Sequence, residues 1–474
     1  MTDAIELPIC GHRGPLNAGG KYFCDSPKLI PLPGYRSAEF CLKCPYHDHG
    51  LLHESKTGLP NRTKISQDKP VNLLSCQWNG GEIKDDNGEP ILRDCPTCGG
   101  MLAKQKVFKC THAPDTSYPP CGSEVTIKEC AGCPHRPKAV ESKKLILFNG
   151  ASPGDFLVMT GALRSLHILH PGKYLTDVEC PCPDIYLHNP DVTPLPRTAD
   201  LYQFFRNNPG QNKLELPDDV TALHMHHDLI HKTHFLPIHF LDDYVEYLGR
   251  QLNIPLTLQT NRPMLYFSPD EVNRPSKVRE LLGDDRPFII SIWHGKSDYT
   301  TKHYIDSYAE ETVRKLNDYF QQRVAIVHVG EEKHMHKPIK GTVNMIGKIG
   351  LRDLILSARE SHVGIGQVSL LMHIYAALQK PFTCIAGGRE PPSFYDYPTQ
   401  TTLHTIGALS CSATTGCWKS RTVKLNDGDS KDNELCLDVV DVNGVPAQRC
   451  MSIIKPEDVF RAVIRPYEGG ALKI

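Results

Sequence analysis

The chain has 474 residues, with 53 Lys+Arg balanced by 54 Asp+Glu for a formal net charge of −1. That balance excludes a global basic field of the kind that captures nucleic acid or anionic lipid, leaving only local patches to do so. A share of 40% hydrophobic and 23% charged residues is that of a soluble globular protein, and the length calls for roughly three domains. No apolar run approaches the ~20 residues of a membrane span. The opening MTDAIELPICGHRG lacks the basic and apolar regions of a signal peptide, so a cytoplasmic location is expected.

Eleven of the 18 cysteines fall in the first 133 residues. Residues 1–140 are rich in Gly, Pro, Asn and Lys with little apolar periodicity, so packing alone would not fold them and metal binding has to contribute. Cys41-Leu-Lys-Cys44, Cys95-Pro-Thr-Cys98 and Cys130-Ala-Gly-Cys133 have the spacing at which two thiolates hold one tetrahedral ion. In a reducing compartment such pairs are ligands rather than disulfides. Cys10-Gly-His12, Cys24 and Cys41-x-x-Cys44-Pro45 are echoed by Cys110-Thr-His112, Cys121 and Cys130-x-x-Cys133-Pro134, which predicts two related structural zinc modules. The first uses Cys10, Cys24, Cys41 and Cys44. The second is built on Cys130 and Cys133, completed by Cys95 and Cys98 or by Cys110 and Cys121. Closed thiolate sites are structural, so no catalysis is expected there.

From Lys143 the texture changes. Leu145–Phe148 reads as a buried strand, 149–155 as a tight loop, 156–169 as a helix and Tyr174–Cys180 as a further strand. A histidine-rich stretch follows (His224, His226, His227, His231, His234, His239), too irregular to specify a metal site and equally suited to acceptor contacts. The pattern restarts with a strand at Pro287–His294, a helix at 304–320, a strand at Arg323–Val329 and a helix at 351–360. A short strand near Val363, a helix at Ser369–Gln379 and a strand at Pro381–Ala386 complete it. Two alternating halves predict an α/β protein with two Rossmann-like domains facing a cleft, where ligands sit at the carboxyl ends of the strands. Four loops would line that cleft. They are Ser152–Asp155, the lysine-bearing loop with Lys296 and Lys302, Gly330-Glu331-Glu332, and Gly364–Ser369 with Gln367. The last leads into a helix carrying His373.

As a set, these residues resemble the heptosyltransferases, the ADP-heptose-using glycosyltransferases of family nine with the GT-B fold. Carrying the resemblance are Gly154-Asp155 followed by Thr160-Gly161-Ala-Leu163, Lys302 after the first strand of the second half, Gly330-Glu331-Glu332, and Met372-His373 through Pro381. It covers roughly residues 143–465. It implies metal-independent transfer of a sugar, heptose-like and ADP-linked, from a nucleotide donor to an acceptor hydroxyl with inversion. Asp155 would act as general base and Lys302 would stabilise the leaving diphosphate. Gly154, Thr160, Gly161, Lys296, Glu331, Glu332, Gln367, Ser369 and His373 would line the donor. The sequence departs from the family at Val368, where an acidic residue usually precedes the histidine by five positions.

Cys411, Cys417, Cys436 and Cys450 punctuate a polar, loop-rich stretch, and a connection this long needs a staple such as a four-thiolate metal site. It resembles the cysteine finger of the autotransporter heptosyltransferases, in which the metal is iron; thiolates alone suit zinc or iron. Beyond it, 455–464 reads as a helix, which the GT-B resemblance would return to the first domain.

The expected order is a metal module (1–140), an acceptor-side domain (143–265), a nucleotide-sugar domain (266–405), a metal finger (406–452) and a C-terminal helix and tail (453–474). The acceptor, whether glycan, protein or nucleic acid, is not specified. The competing expectation is a non-catalytic glycosyltransferase fold whose zinc modules bind nucleic acid or protein.

Overall fold

A computed structural model of the chain describes residues 142–226 and 237–473, and short backbone strands before them. The chain divides into two compact units, Met1–Glu141 and Ser142–Ile474. In the first, Arg13–Leu16, Tyr22–Cys24 and Gly34–Arg36 pair antiparallel, and Gln105–Cys110 pairs antiparallel with Asn79–Glu82, Leu92–Arg93 and Glu124–Thr126. The thiols expected to bind metal there lie outside the described residues, as do His227, His231 and His234.

The second unit begins with strand β1 (Lys143–Phe148), whose last four residues are all buried, as a central parallel strand requires. Helix α1 (Pro153–Leu169) follows directly. Pro153 supplies the preset φ of a first helical turn, and the backbone N–H of Ser152 donates to Asp155 Oδ2 at 2.8 Å. The helix therefore starts three residues earlier than 156, which places Asp155 in its first turn rather than in the loop. Next come β2 (Tyr174–Glu179), α2 (Leu201–Asn207), β3 (Lys213–Leu216), β4 (Val220–His224) and α3 (Phe240–Leu252). The strands form one sheet in the order β3-β4-β1-β2, parallel except for the β3–β4 hairpin at its edge.

Two short helices, α4 (Pro269–Asn273) and α5 (Lys277–Leu282), lead into the second half. There follow β5 (Phe288–Ser291), α6 (Asp306–Phe320), β6 (Ala325–His328), β7 (Val343–Asn344), α7 (Leu351–Glu360), β8 (Gly364–Gly366), α8 (Leu370–Ala377), β9 (Phe382–Gly387), α9 (Pro392–Tyr395) and β10 (Gln400–His404). Their strands form an all-parallel sheet in the order β7-β6-β5-β8-β9-β10. Numbered from its own first strand this is 3-2-1-4-5-6, the doubly wound order. Its switch point lies between β5 and β8, and a crevice opens there beyond their carboxyl ends. β5 stops at Ser291, so His294 lies in the loop, not in the strand.

One buried cluster runs through both halves, from Leu145, Phe156 and Tyr244 to Ile290, Met372 and Tyr375. α1 packs on α3 and on α8, and its exposed surface is correspondingly small. The chain ends with the hairpin β11 (Val439–Val442) and β12 (Val445–Gln448), then α10 (Arg449–Ile453) and α11 (Pro456–Glu468). α11 does not return to the first half as the resemblance implied. Its apolar stripe, Val459, Val463 and Ile464, joins Val313, Phe320 and Ile385 of the second half, because α6 presents a complementary stripe beside β9. Among the described residues no helix is long and apolar enough to cross a membrane.

Candidate active site at the switch point

Two helix N-termini meet over the crevice. A Cβ placed on Gly154, in the first turn of α1, would come within 3.3 Å of His373 Cδ2 and 3.7 Å of the Leu370 backbone nitrogen, which opens α8. Gly154 is thus a close approach between the two halves, and a larger side chain would press on His373. Asp155 stands beside it, partly exposed, and its charge reaches Lys302 in the second half. Aligned first-turn N–H groups favour an anion at this point.

Lys302 closes a 3-10 turn, Ser297–Lys302, after β5. Its Nζ donates to Glu390 Oε1 at 2.9 Å and to the Val368 carbonyl at 3.3 Å. Burial lowers its pKa, while the Glu390 and Asp155 charges oppose that shift. Glu390 also pairs with Arg389, and both are buried. Burial alone would raise the Glu390 carboxyl; Lys302 and then Arg389 together hold it below the ordinary range. The Arg389 guanidinium lies over the rings of Tyr299 at 4.6 Å and Trp418 at 5.7 Å. Around this pair, Gln367 Nε2 and Ser369 Oγ are buried without a partner at the turn into α8. Two cations that share the Glu390 carboxylate thus lie near two orphaned polar atoms and a helix N-terminus, an arrangement suited to an anion.

His373 lies inside α8, 6% exposed, with Nδ1 2.9 Å from Tyr397 Oη and its ring parallel to Phe240. His239 caps α3 by accepting from the Leu241 N–H at 3.1 Å, and its ring meets Tyr397 edge-on. Burial lowers His373 to about 3 and His239 to about 4. Both rings are therefore neutral when folded, whereas the unfolded chain protonates them near 6.5. Their stabilising effect is complete above that value and is lost progressively as pH falls towards 4. Lowering pH from 7 to 5 should cost about 2 kcal/mol for each ring. Urea unfolding across that range should show the loss, and His239→Asn, which keeps a cap acceptor without the titration, should flatten the profile. An identical slope in that variant would remove His239 from the account.

Other expected donor residues fall into two groups. Lys296, Glu331 and Glu332 are exposed on loops at the carboxyl ends of β5 and β6, and Lys296 and Glu331 act electrostatically on Cys182 of the first half. They rim the crevice. Thr160 and Gly161 do not reach it. Thr160 Oγ1 donates to the Leu157 carbonyl and accepts from the Met264 N–H at 2.7 Å, and Gly161 is pressed against Leu241. Their motif positions serve helix packing because the helix begins at 153 and buries them one to two turns in.

The four C-terminal cysteines come into one neighbourhood. Burial raises the Cys450 thiol to about 12, with Cys417 and Cys436 adding to the rise; Cys411 acts in turn on Cys417 and Cys436. Cys417 N–H donates to the Gly388 carbonyl and Trp418 N–H to the Arg389 carbonyl, at 3.0 and 3.1 Å. Lys419 accepts from Arg389 Nε and from Thr301 Oγ1, and Arg421, wholly buried, donates to the Ser297 carbonyl at 3.1 Å. The finger therefore straps down both Arg389 and the turn that carries Lys302. No side chain fits at Gly416, where a Cβ would lie 2.0 Å from the Arg389 carbonyl oxygen.

Two features escaped the sequence reading. Arg389-Glu390 sits in a Gly-Gly-Arg-Glu-Pro-Pro run after a strand, a punctuation that signals a loop at a sheet's carboxyl edge. The other is a set of histidines, His294, His328 and His336, whose spacing of 34 and 8 residues carries no recognisable motif.

No family model matches this chain, and no curated protein matches it. Among solved structures it is similar to a glycosyl transferase family 9 protein of Veillonella parvula, at 15% identity over 69% of this chain and 98% of that one, with a TM-score of 0.45. It is also similar to the ADP-heptose LPS heptosyltransferase II of E. coli, at 14% identity over 69% of this chain and 100% of that one, with a TM-score of 0.44. A third similar structure is the iron-containing dodecameric glycosyltransferase TibC of enterotoxigenic E. coli, at 14% identity over 77% and 83% of the two chains, TM-score 0.45.

Proposed function

We propose that the second unit transfers a sugar from a nucleoside diphosphate donor to an acceptor hydroxyl. The observation that carries this reading is the close approach of the two halves, where the first turn of α1 with Asp155 meets the start of α8, a Cβ on Gly154 would fall 3.3 Å from His373 Cδ2, and Lys302 Nζ donates to the Val368 carbonyl. Transfer needs a base that removes the acceptor proton as charge builds on the departing diphosphate. Asp155 is the base in this reading. Lys302, Arg389, Ser369 and the α8 N-terminus receive the diphosphate, with Gln367 beside them. Displacement by a hydroxyl on the face opposite the leaving group inverts the anomeric centre. Glu331 or Glu332 would take the ribose hydroxyls from the rim.

Heptose from an ADP carrier is the donor the sequence motifs favour. No acid stands at Val368 to contact the donor, and Glu390 from another loop pairs with Lys302, so the donor contacts need not follow the family pattern. The cysteine sets are structural in this reading. The C-terminal thiols, already in one neighbourhood, would take a zinc or iron ion after closing further on one another, and the N-terminal set would take zinc. The N-terminal segment is then the part available to hold the acceptor.

Isothermal titration of the full chain with a panel of nucleotide-sugars tests the reading. Saturable binding of at least one donor, competed by the matching nucleoside diphosphate and followed by its consumption with a co-purified acceptor, is the expected result. Absence of binding across the panel would instead favour a non-catalytic fold that recruits nucleic acid or protein.

A further inference from the structure

Three histidines outside this machinery converge at the carboxyl ends of β5 and β6. His294 lies three residues past β5, His328 is the last residue of β6, and His336 comes from the loop after β6. One ring nitrogen from each lies within 4.8 Å of the other two. On every one of these rings a nitrogen is buried and unpartnered: His294 Nδ1, His328 Nε2 and His336 Nδ1. His294 and His328 are 3% and 0% exposed, so bulk solvent does not reach those atoms.

On two of the rings, His294 and His328, the opposite nitrogen is fixed. His294 Nε2 is 2.5 Å from Asp306 Oδ1, and Asp306 Oδ2 pairs with Lys337 Nζ at 3.3 Å. His328 Nδ1 is 3.1 Å from the Ser291 carbonyl. Each acceptor requires a proton on the nitrogen facing it, which leaves the lone pair on the nitrogen that faces the centre. A carboxylate or carbonyl behind a ligating imidazole is the usual support of a metal-bound histidine. Gly330 makes room for the third ring, since a Cβ there would fall 2.4 Å from His336 Cγ. Two buried lone pairs, with His336 Nδ1 buried and unpartnered beside them, leave unsatisfied polar atoms that a cation would resolve.

We infer that His294, His328 and His336 form a three-imidazole site for a zinc-class divalent ion. Imidazole ligands suit zinc and its first-row neighbours rather than magnesium or calcium, and metal–nitrogen bonds of about 2.0–2.1 Å would draw the rings together. The ion would tie the loop that carries Lys296 and Lys302 to the loop that carries Glu331 and Glu332. This inference stands apart from the sugar-transfer reading and from the cysteine sites.

The test uses the full chain, stripped with chelator under reducing conditions, then titrated with Zn²⁺ by calorimetry and with Co²⁺ by absorbance. His336→Gln and His294→Asn should each take up one equivalent less than the parent protein. Their thiolate-to-cobalt charge-transfer bands should be unchanged, because those report the cysteine sites. Equal uptake by parent and both variants overturns the site. A measurement free of mutation guards against misfolding of the variants. Zinc-edge X-ray absorption of the parent protein should require an imidazole shell beyond what the Cys10, Cys24, Cys41, Cys44 and C-terminal thiol sites supply. A spectrum fitted by sulfur alone overturns the inference equally.

Discussion

Asp155→Asn is expected to fold as the parent protein does and to lose sugar transfer by roughly 10²- to 10⁴-fold, the usual contribution of a general base. The substitution separates two duties of one side chain. Asp155 accepts the Ser152 N–H and so helps to start α1, a role an asparagine oxygen retains. Loss of the carboxylate charge near a helix N-terminus costs less than about 1 kcal/mol at a partly exposed position. An asparagine cannot accept a proton from an attacking hydroxyl, so the catalytic duty is removed while the structural one survives. Donor binding should persist, since the proposed diphosphate site is on the other half. Thermal unfolding, donor titration and transfer rate measured on one preparation decide the matter. Full activity in the variant would leave Asp155 as a helix cap only.

The architecture was legible where burial and periodicity agree. β1, α1, β5, α6, α7 and α8 are strongly apolar or strongly periodic, and their alternation predicts two Rossmann-like halves before any contact is known. The boundaries shifted for local reasons: Pro153 extends α1 backwards, and β5 ends at Ser291 although the apolar run continues to Trp293. The shortest pieces were not legible, because a two-residue strand such as Val343–Asn344 acquires its identity only from β6 beside it. Asp155, Lys302 and Ser369 could be named as candidates because each follows a strand end at the approach to a helix or turn. Glu390 was not, since its role rests on Lys302, 88 positions earlier in the chain. The three histidines share that difficulty: topology, not spacing, places them together. Thr160 shows the converse, a motif residue whose hydroxyl is spent on Leu157 and Met264 once α1 is folded.

Lys302→Met is expected to reduce kcat/KM by about 10²- to 10³-fold, the scale seen when one preorganised group facing developing charge is removed. The fold should survive, because Glu390 keeps Arg389 as its partner and methionine fills the space of the aliphatic stem. Glu390→Gln provides the sharper test, because it alters the lysine without touching it. The Glu390 charge opposes the lowering of the Lys302 pKa that burial imposes. Removing that charge lets the pKa fall further, so the amine gives up its proton at a lower pH. The alkaline limb of the kcat/KM profile should therefore move to lower pH in Glu390→Gln and should be absent in Lys302→Met. A limb that stays in place in both variants would assign the titration to another group and reduce Glu390 to a structural partner of Arg389. A shift in Glu390→Gln alone, at unchanged donor affinity at low pH, would show that the loop after β9 sets the charge of the residue on which the diphosphate leaves. The cysteine finger would then act on the chemistry through Arg389, which pairs with Glu390, and through the turn that carries Lys302, because one stretch of chain holds both.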